Sequence, residues 1–179
     1  MNQVQKLVQD VSTARNRYLD QIANLSEFQA RWKPNSEVWN SIENTEHLYW
    51  AEQGGILGMW KTLHAIREGE MIRTYEFNNK DLSIEQIVER TWQPLEKVPA
   101  VAAPRLGGSL SFWKTSFLNM QNVLEAFAQD LQENELRLQA QHHPISGALD
   151  FHQRLEFLRF HIDRHRGQVS QLISTMNSL

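Results

Sequence analysis

A chain of 179 residues is long enough for one domain with a substantial core and too short for two comfortable ones. Charged residues make up 22% and the formal net charge is −3, with both signs interspersed, so no basic face is on offer to phosphates and no nucleic-acid partner is expected. The chain has no cysteine, which removes disulfides, thiolate ligands and a cysteine nucleophile together and fits a reducing compartment.

The N-terminal stretch MNQVQKLVQDVSTARNRY mixes charge with apolar residues and has no apolar run of signal-peptide length. Nothing along the chain approaches the ~18 consecutive apolar residues of a membrane span. A soluble, cytoplasmic protein with no membrane partner is expected. Six tryptophans are many for this length; they predict core and loop anchors first, and the aromatic wall of a ligand pocket second.

Helical periodicity appears first at Val4, Leu7, Val11, Ala14, Tyr18, Ile22 and Leu25, which share one face. Pro34 then breaks the pattern, because proline disfavours helix at the residue before it. The second helix starts at Asn40, a good N-cap, with Glu43 three residues on to complete a capping box. Ile42, Thr45, Tyr49, Ile56, Met59 and Leu63 carry it to about Arg67, interrupted by Gly54 and Gly55, which would allow close helix packing. Each glycine costs roughly 1 kcal/mol relative to alanine in a helix interior.

Residues 69–108 read as mostly irregular. Ser83 and Gln86 start a short helix there, and Pro94, Pro99, Pro104, Gly107 and Gly108 predict extended chain after it. So long a connection is either functional or a crossover along a bundle. The third helix runs through Leu110, Trp113, Phe117, Met120, Leu124, Phe127 and Leu131. The fourth is capped by Asp150 with Gln153, and its stripe is Phe151, Leu155, Leu158, Ile162, His165, Val169, Leu172 and Met176. No strand alternation competes, so the expectation is all-α: a single four-helix bundle over residues 1–179, with a long crossover loop between its second and third helices.

His165 is out of character in that stripe, because a buried imidazole without a partner costs roughly 1–3 kcal/mol. His161 lies one turn earlier, and residues four apart on a helix are about 5–6 Å apart at Cβ, near enough to chelate one ion. An HxxxH pair alone is weak evidence, since core histidines often bond a carboxylate or carbonyl instead. A third ligand must come from another helix, and His47, His64, His142, His143, His152, Glu43, Glu46 and Glu52 all remain open on spacing alone.

The segment Trp39-Asn40-Ser41-Ile42-Glu43-Asn44-Thr45-Glu46-His47-Leu48 resembles the start of the second helix in DinB/YfiT-like proteins. His143-Pro144-Ile145-Ser146-Gly147-Ala148-Leu149-Asp150 is similar to that family's lead-in to its last helix, and His161-x-x-x-His165-x-x-Gln168 to the pattern on it. The resemblance implies a metal-binding four-helix bundle whose ligands are His47, His161 and His165. Three imidazoles suit a divalent ion, zinc or nickel before iron or manganese, and the resemblance implies a homodimer.

Three imidazoles with open positions describe a catalytic rather than a structural site. Such an ion activates water for hydrolysis or a small thiol for attack on an electrophile. Because the family includes S-transferases that use low-molecular-weight thiols, the expected function is a metal-dependent transferase of the stress and detoxification type, acting on a small-molecule thiol or electrophilic substrate. A metal-dependent hydrolase, or a non-catalytic metal-binding dimeric stress protein, is the alternative. Gln168 is the better candidate than Asp163 to orient a ligand ring, while Glu43 and Glu46 are expected as caps or solvated residues before bases or extra ligands. His142 and His143 have no assigned role.

Overall fold

The structure is a computed structural model that describes residues 1–70, 75–92 and 98–178. Six α-helices occur among them: α1 (Gln3–Gln21), α2 (Glu27–Arg31), α3 (Ser41–Arg67), α4 (Ile84–Thr91), α5 (Leu110–Asp130) and α6 (Phe151–Asn177), with one 3-10 turn at Glu133–Glu135. No strand forms among the described residues; two isolated bridges, Gln139 with Asp150 and His143 with Gly147, shape the lead-in to α6. The all-α expectation holds.

Helix starts follow the local chemistry. The capping boxes expected at Asn40/Glu43, Ser83/Gln86 and Asp150/Gln153 all form, and Asn2/Gln5 and Ser26/Gln29 add two more. In each, a side-chain oxygen accepts from the backbone N–H three residues on while that residue's side chain accepts from the cap, so two orphan donors are satisfied at once. The first helix stops at Gln21, short of Leu25, which packs partly buried against the core from the turn beyond. Five residues before the Pro34 break form α2, a single turn too short to show a period.

Four long helices bury their stripes against one another. The extensive contacts are α1 with α5 and α6, and α3 with α5 and α6, so α1 and α3 stand diagonally across the bundle. Tyr18, Met59, Leu63, Phe117, Leu124 and Leu155 are fully buried in the centre. A polar network crosses this core as well: Arg15 of α1 bonds Glu52 of α3 and Gln121 of α5. Burial pushes the Glu52 carboxyl up and the Arg15 guanidinium pulls it back. The glycines that let neighbours close on α3 are Gly55 and Gly58; a Cβ on Gly58 would stand 2.5 Å from Gln141 Nε2, whereas Gly54 faces open space.

The described parts of the long connection pack onto the bundle. Ile84, Ile87 and Val88 of α4 form a second apolar cluster with Leu149 and Phe157. Gln153 Nε2 donates to the carbonyls of Asn79 and Leu82, and Asn79 Nδ2 to those of Ser146 and Ala148, stitching the connection to the start of α6. Pro94 lies outside the described residues. Residues 98–108 return to α3, where Glu46 accepts from the backbone N–H groups of Arg105, Leu106 and Gly107 at 2.8, 2.8 and 2.9 Å.

Glu46 is thus neither a helix cap nor a solvated residue, as its sequence position suggests; it is fully buried. Burial alone would raise its pKa, but the three N–H groups and the Trp50 indole hold it below the usual carboxylate range. The Arg105 guanidinium closes over the Trp50 ring at 4.2 Å. Replacing Glu46 by alanine strands three donors at once, and hydrogen bonds to a charged group contribute about 1.5–3 kcal/mol each. Glu46→Ala is therefore expected to lower the unfolding free energy measured in urea by at least about 2 kcal/mol and to speed hydrogen exchange at residues 105–107 first; unchanged exchange there would disprove the anchoring role.

Candidate metal centre

Two helices bring three imidazoles together: His47 on α3, and His161 and His165 on α6. All three are buried. Helix α3 crosses beside α6, and the four-residue spacing on α6 stacks its two rings on the side that meets His47. His47 Nε2 lies 3.1 Å from His161 Nε2, which lies 3.2 Å from His165 Nε2. The three donor atoms fall within 4.8 Å of one another. An ion with Nε2 ligands at about 2.0–2.1 Å sets its donors roughly 3.0–3.4 Å apart, so the spacing fits one.

The outer nitrogens decide which proton each ring carries. The His47 Nδ1–H donates to the Ala102 carbonyl at 2.7 Å, and since a carbonyl only accepts, Nε2 is left with its lone pair. Asn44 fixes His165 in two steps. Its amide nitrogen donates to the carbonyls of Trp39 (3.1 Å) and Asn40 (2.9 Å), so its oxygen must face the ring and accept from His165 Nδ1–H at 2.8 Å. His165 Nε2 is then a lone pair too, aimed at the same point. Ring orientation by an outer partner of this kind is what a metal-ligating histidine ordinarily has.

The partner of His165 Nδ1 is Asn44, not the expected Gln168; Gln168 approaches the same ring and works against the depression of its pKa. Asp163 pairs instead with Arg166 along the helix. Glu43 is the cap that its position suggests and also pairs with Lys33. In sequence a buried asparagine in the first turn of a helix looks like any other; the signal of Asn44 is that it lies three residues before His47, on an adjoining face.

Aromatic rings shape the surroundings. Trp39 lies 5.0 Å from the His47 ring and nearly parallel to His165 at 6.3 Å, and Trp92 and Phe157 flank His161. The triad opens on a cavity of about 970 Å³ whose wall includes Trp39, Trp50, Trp92 and Phe157. Both tryptophan expectations are met: Trp113 is core, the others named here are pocket wall. Of the remaining histidines, His64 bonds Asp130, His142 lies tilted against the Tyr75 ring at 4.3 Å, and His143 lines the cavity.

Burial holds all three triad rings below the usual histidine range, His161 and His165 well below it, and at those two the charge of neighbouring rings adds to the effect. The folded protein therefore keeps them neutral at pH 7, the form a metal requires. In the unfolded chain they take up protons near about pH 6.5. Their contribution to stability is thus complete above that pH and is lost as pH falls below it toward the depressed folded values. For metal-free protein the urea midpoint should drop steadily between about pH 7 and pH 5, and a flat profile would contradict neutral buried rings.

The DinB superfamily profile matches residues 11–169 of the chain, a span that includes the triad. Among solved structures the fold is similar to a conserved protein from Enterococcus faecalis, at 12% identity over 97% of this chain and 96% of that one, with a TM-score of 0.61. It is also similar to an uncharacterised protein from Clostridium difficile 630 (14%, 96% and 95%, 0.57) and to a protein from Streptococcus pneumoniae (15%, 96% and 90%, 0.56). At these identities the likeness is one of fold. No curated protein matches the chain. With a profile match across both helices that carry the three histidines, the chain belongs to the DinB superfamily.

Proposed function

We propose that the protein holds one divalent metal ion through Nε2 of His47, His161 and His165 and uses it to transfer a small-molecule thiol to an electrophile, in stress response or detoxification. The observation that carries this reading is the tautomer arrangement: Ala102 and Asn44 each occupy an Nδ1–H, so two Nε2 lone pairs converge on His161 Nε2 at the wall of a large cavity. Three neutral imidazoles leave coordination positions for a substrate and suit zinc or nickel. The bound ion supplies Lewis acidity that lowers the pKa of a coordinated thiol.

The rest falls to the chain. Trp39 and Asn44 hold the rings in place, and the aromatic wall excludes water and accepts an apolar electrophile. A thiol is favoured over water because of what lines the cavity: Glu37, exposed at the rim, is the single carboxylate among the described lining residues. A free thiol titrates near about 8.5 and needs no general base once its pKa is lowered, whereas water starts far higher. With no cysteine in the chain, the sulfur nucleophile has to arrive as a small molecule. The homodimer belongs to the same reading, and light scattering at twice the chain mass is the expected result.

Elemental mass spectrometry of untagged protein should find about one equivalent of metal in the wild type and little in a His161→Ala/His165→Ala variant. Asn44→Leu, which frees the His165 ring, should weaken metal affinity by about 10–100-fold without unfolding the protein. Metal-loaded wild type should then consume a thiol in the presence of a haloarene or epoxide. Equal metal content in the wild type and the double variant would sink the ligand assignment; full metal with no thiol consumption would sink the transferase.

A further inference from the structure

Arg154, in the first turn of α6, lines the same cavity as the triad and is only 5% exposed. Its Nε and Nη1 have no hydrogen-bond partner, and no carboxylate pairs with its guanidinium among the described residues. The contrast with Arg15 is instructive, since that buried guanidinium bonds both Glu52 and Gln121. What surrounds Arg154 is apolar or neutral. The Phe157 ring lies 5.7 Å from its central carbon, and Nη2 sits against Gly55, where a Cβ would come within 3.4 Å of it. Burial lowers its pKa to about 10, which still leaves it charged at neutral pH.

A buried charge with no partner is costly, and native structures rarely keep one without a reason. A second donor stands on the same wall. His143 Nδ1 accepts from the backbone N–H groups of Ser146 (2.9 Å) and Ile145 (3.2 Å), which places its proton on Nε2. Burial and the nearby Arg154 charge keep that ring neutral. Its Nε2–H has no acceptor among the described residues. The cavity wall therefore presents a fork of guanidinium N–H groups and an imidazole N–H with nothing to receive them.

We propose that Arg154, assisted by His143, is a carboxylate-binding subsite in this cavity, and that the substrate carries a carboxylate that docks there while its reacting end faces the three histidines. The guanidinium fork matches a carboxylate bidentately. One cation with one neutral donor suits a monoanionic group; phosphate ordinarily collects a second cation, and Arg164, also on the wall, lies over the Trp92 ring at 4.7 Å. That this carboxylate belongs to the substrate of the metal reaction rests on the function proposed above. The subsite itself does not.

The test uses full-length wild type, Arg154→Met and Arg154→Lys, each metal-loaded and chelator-treated, titrated calorimetrically with succinate, succinamide and inorganic phosphate. Succinate should bind the wild type saturably in both metal states, with succinamide and phosphate at least about tenfold weaker. Arg154→Met should lose at least about tenfold in succinate affinity while keeping its metal content and melting no lower than the wild type, because an unpaired buried charge has been removed. A merely structural arginine would instead lower the melting temperature. Arg154→Lys, which keeps the charge without the fork, should fold and bind severalfold more weakly, and it decides the matter if the methionine variant does not fold. Succinate binding absent from the wild type, matched by succinamide, exceeded by phosphate, or unchanged in Arg154→Lys would overturn the subsite. Metal bound without succinate would fail the subsite alone, and Arg154-dependent succinate binding without metal would fail the metal centre alone.

Discussion

The carboxylate of Glu46 gathers three successive backbone N–H groups from a segment some sixty residues away in sequence, and much of the site hangs on that clasp. Backbone donors in an irregular segment must find acceptors once they leave water. By meeting that demand from the face of α3, Glu46 brings residues 98–108 down over the bundle and puts the Ala102 carbonyl 2.7 Å from His47 Nδ1. The loop thereby sets the tautomer of a residue one position along from the anchor itself. Trp50 joins the two functions: its indole N–H donates to Glu46 while its ring carries Arg105 and faces the cavity. A connection that the sequence leaves as either functional or a crossover is a structural wall of the site.

What the sequence disclosed follows from the range of the forces involved. Helix limits rest on side chains three residues apart, and the starts of α3, α4 and α6 were legible to the residue because Asn40/Glu43, Ser83/Gln86 and Asp150/Gln153 carry their own signal. His161 and His165 declared themselves as polar residues on an apolar face. The third member could not be chosen by spacing, since which of several histidines meets α6 depends on how α3 lies across it; only the resemblance singled out His47. Glu46, Asn44 and Arg154 were illegible for the same reason in sharper form. Each is an ordinary polar residue on a helix, and its partners or lack of them appear only when distant segments meet.

The buried polar groups divide into two kinds. Asn44, Glu46 and Gln153 are bonded to backbone groups, and Arg15 pairs with Glu52; these contacts lock helices and connections into one arrangement. The Nε2 atoms of the triad, the Nε2–H of His143 and the guanidinium of Arg154 meet either one another or empty space. The first set lies in the bundle centre or beneath the connection, whereas the triad, His143 and Arg154 all face one cavity. A fold that stabilised itself alone would have placed apolar residues at the second set.

That segregation has an electrostatic consequence. Rings held neutral by burial cost the folded state nothing in proton release at neutral pH when they take up a cation, so depressed pKa values and ligand readiness are one property seen from two sides. The same desolvation makes any charge entering the cavity interact strongly with those already there. A dication held by the histidines, as proposed, would be repelled by the Arg154 guanidinium, and an anionic ligand would relieve that repulsion. The unpaired arginine and the neutral triad thus ask for the same thing from a ligand, negative charge at one end and a metal-seeking atom at the other, and neither demand could be inferred from the other residue alone.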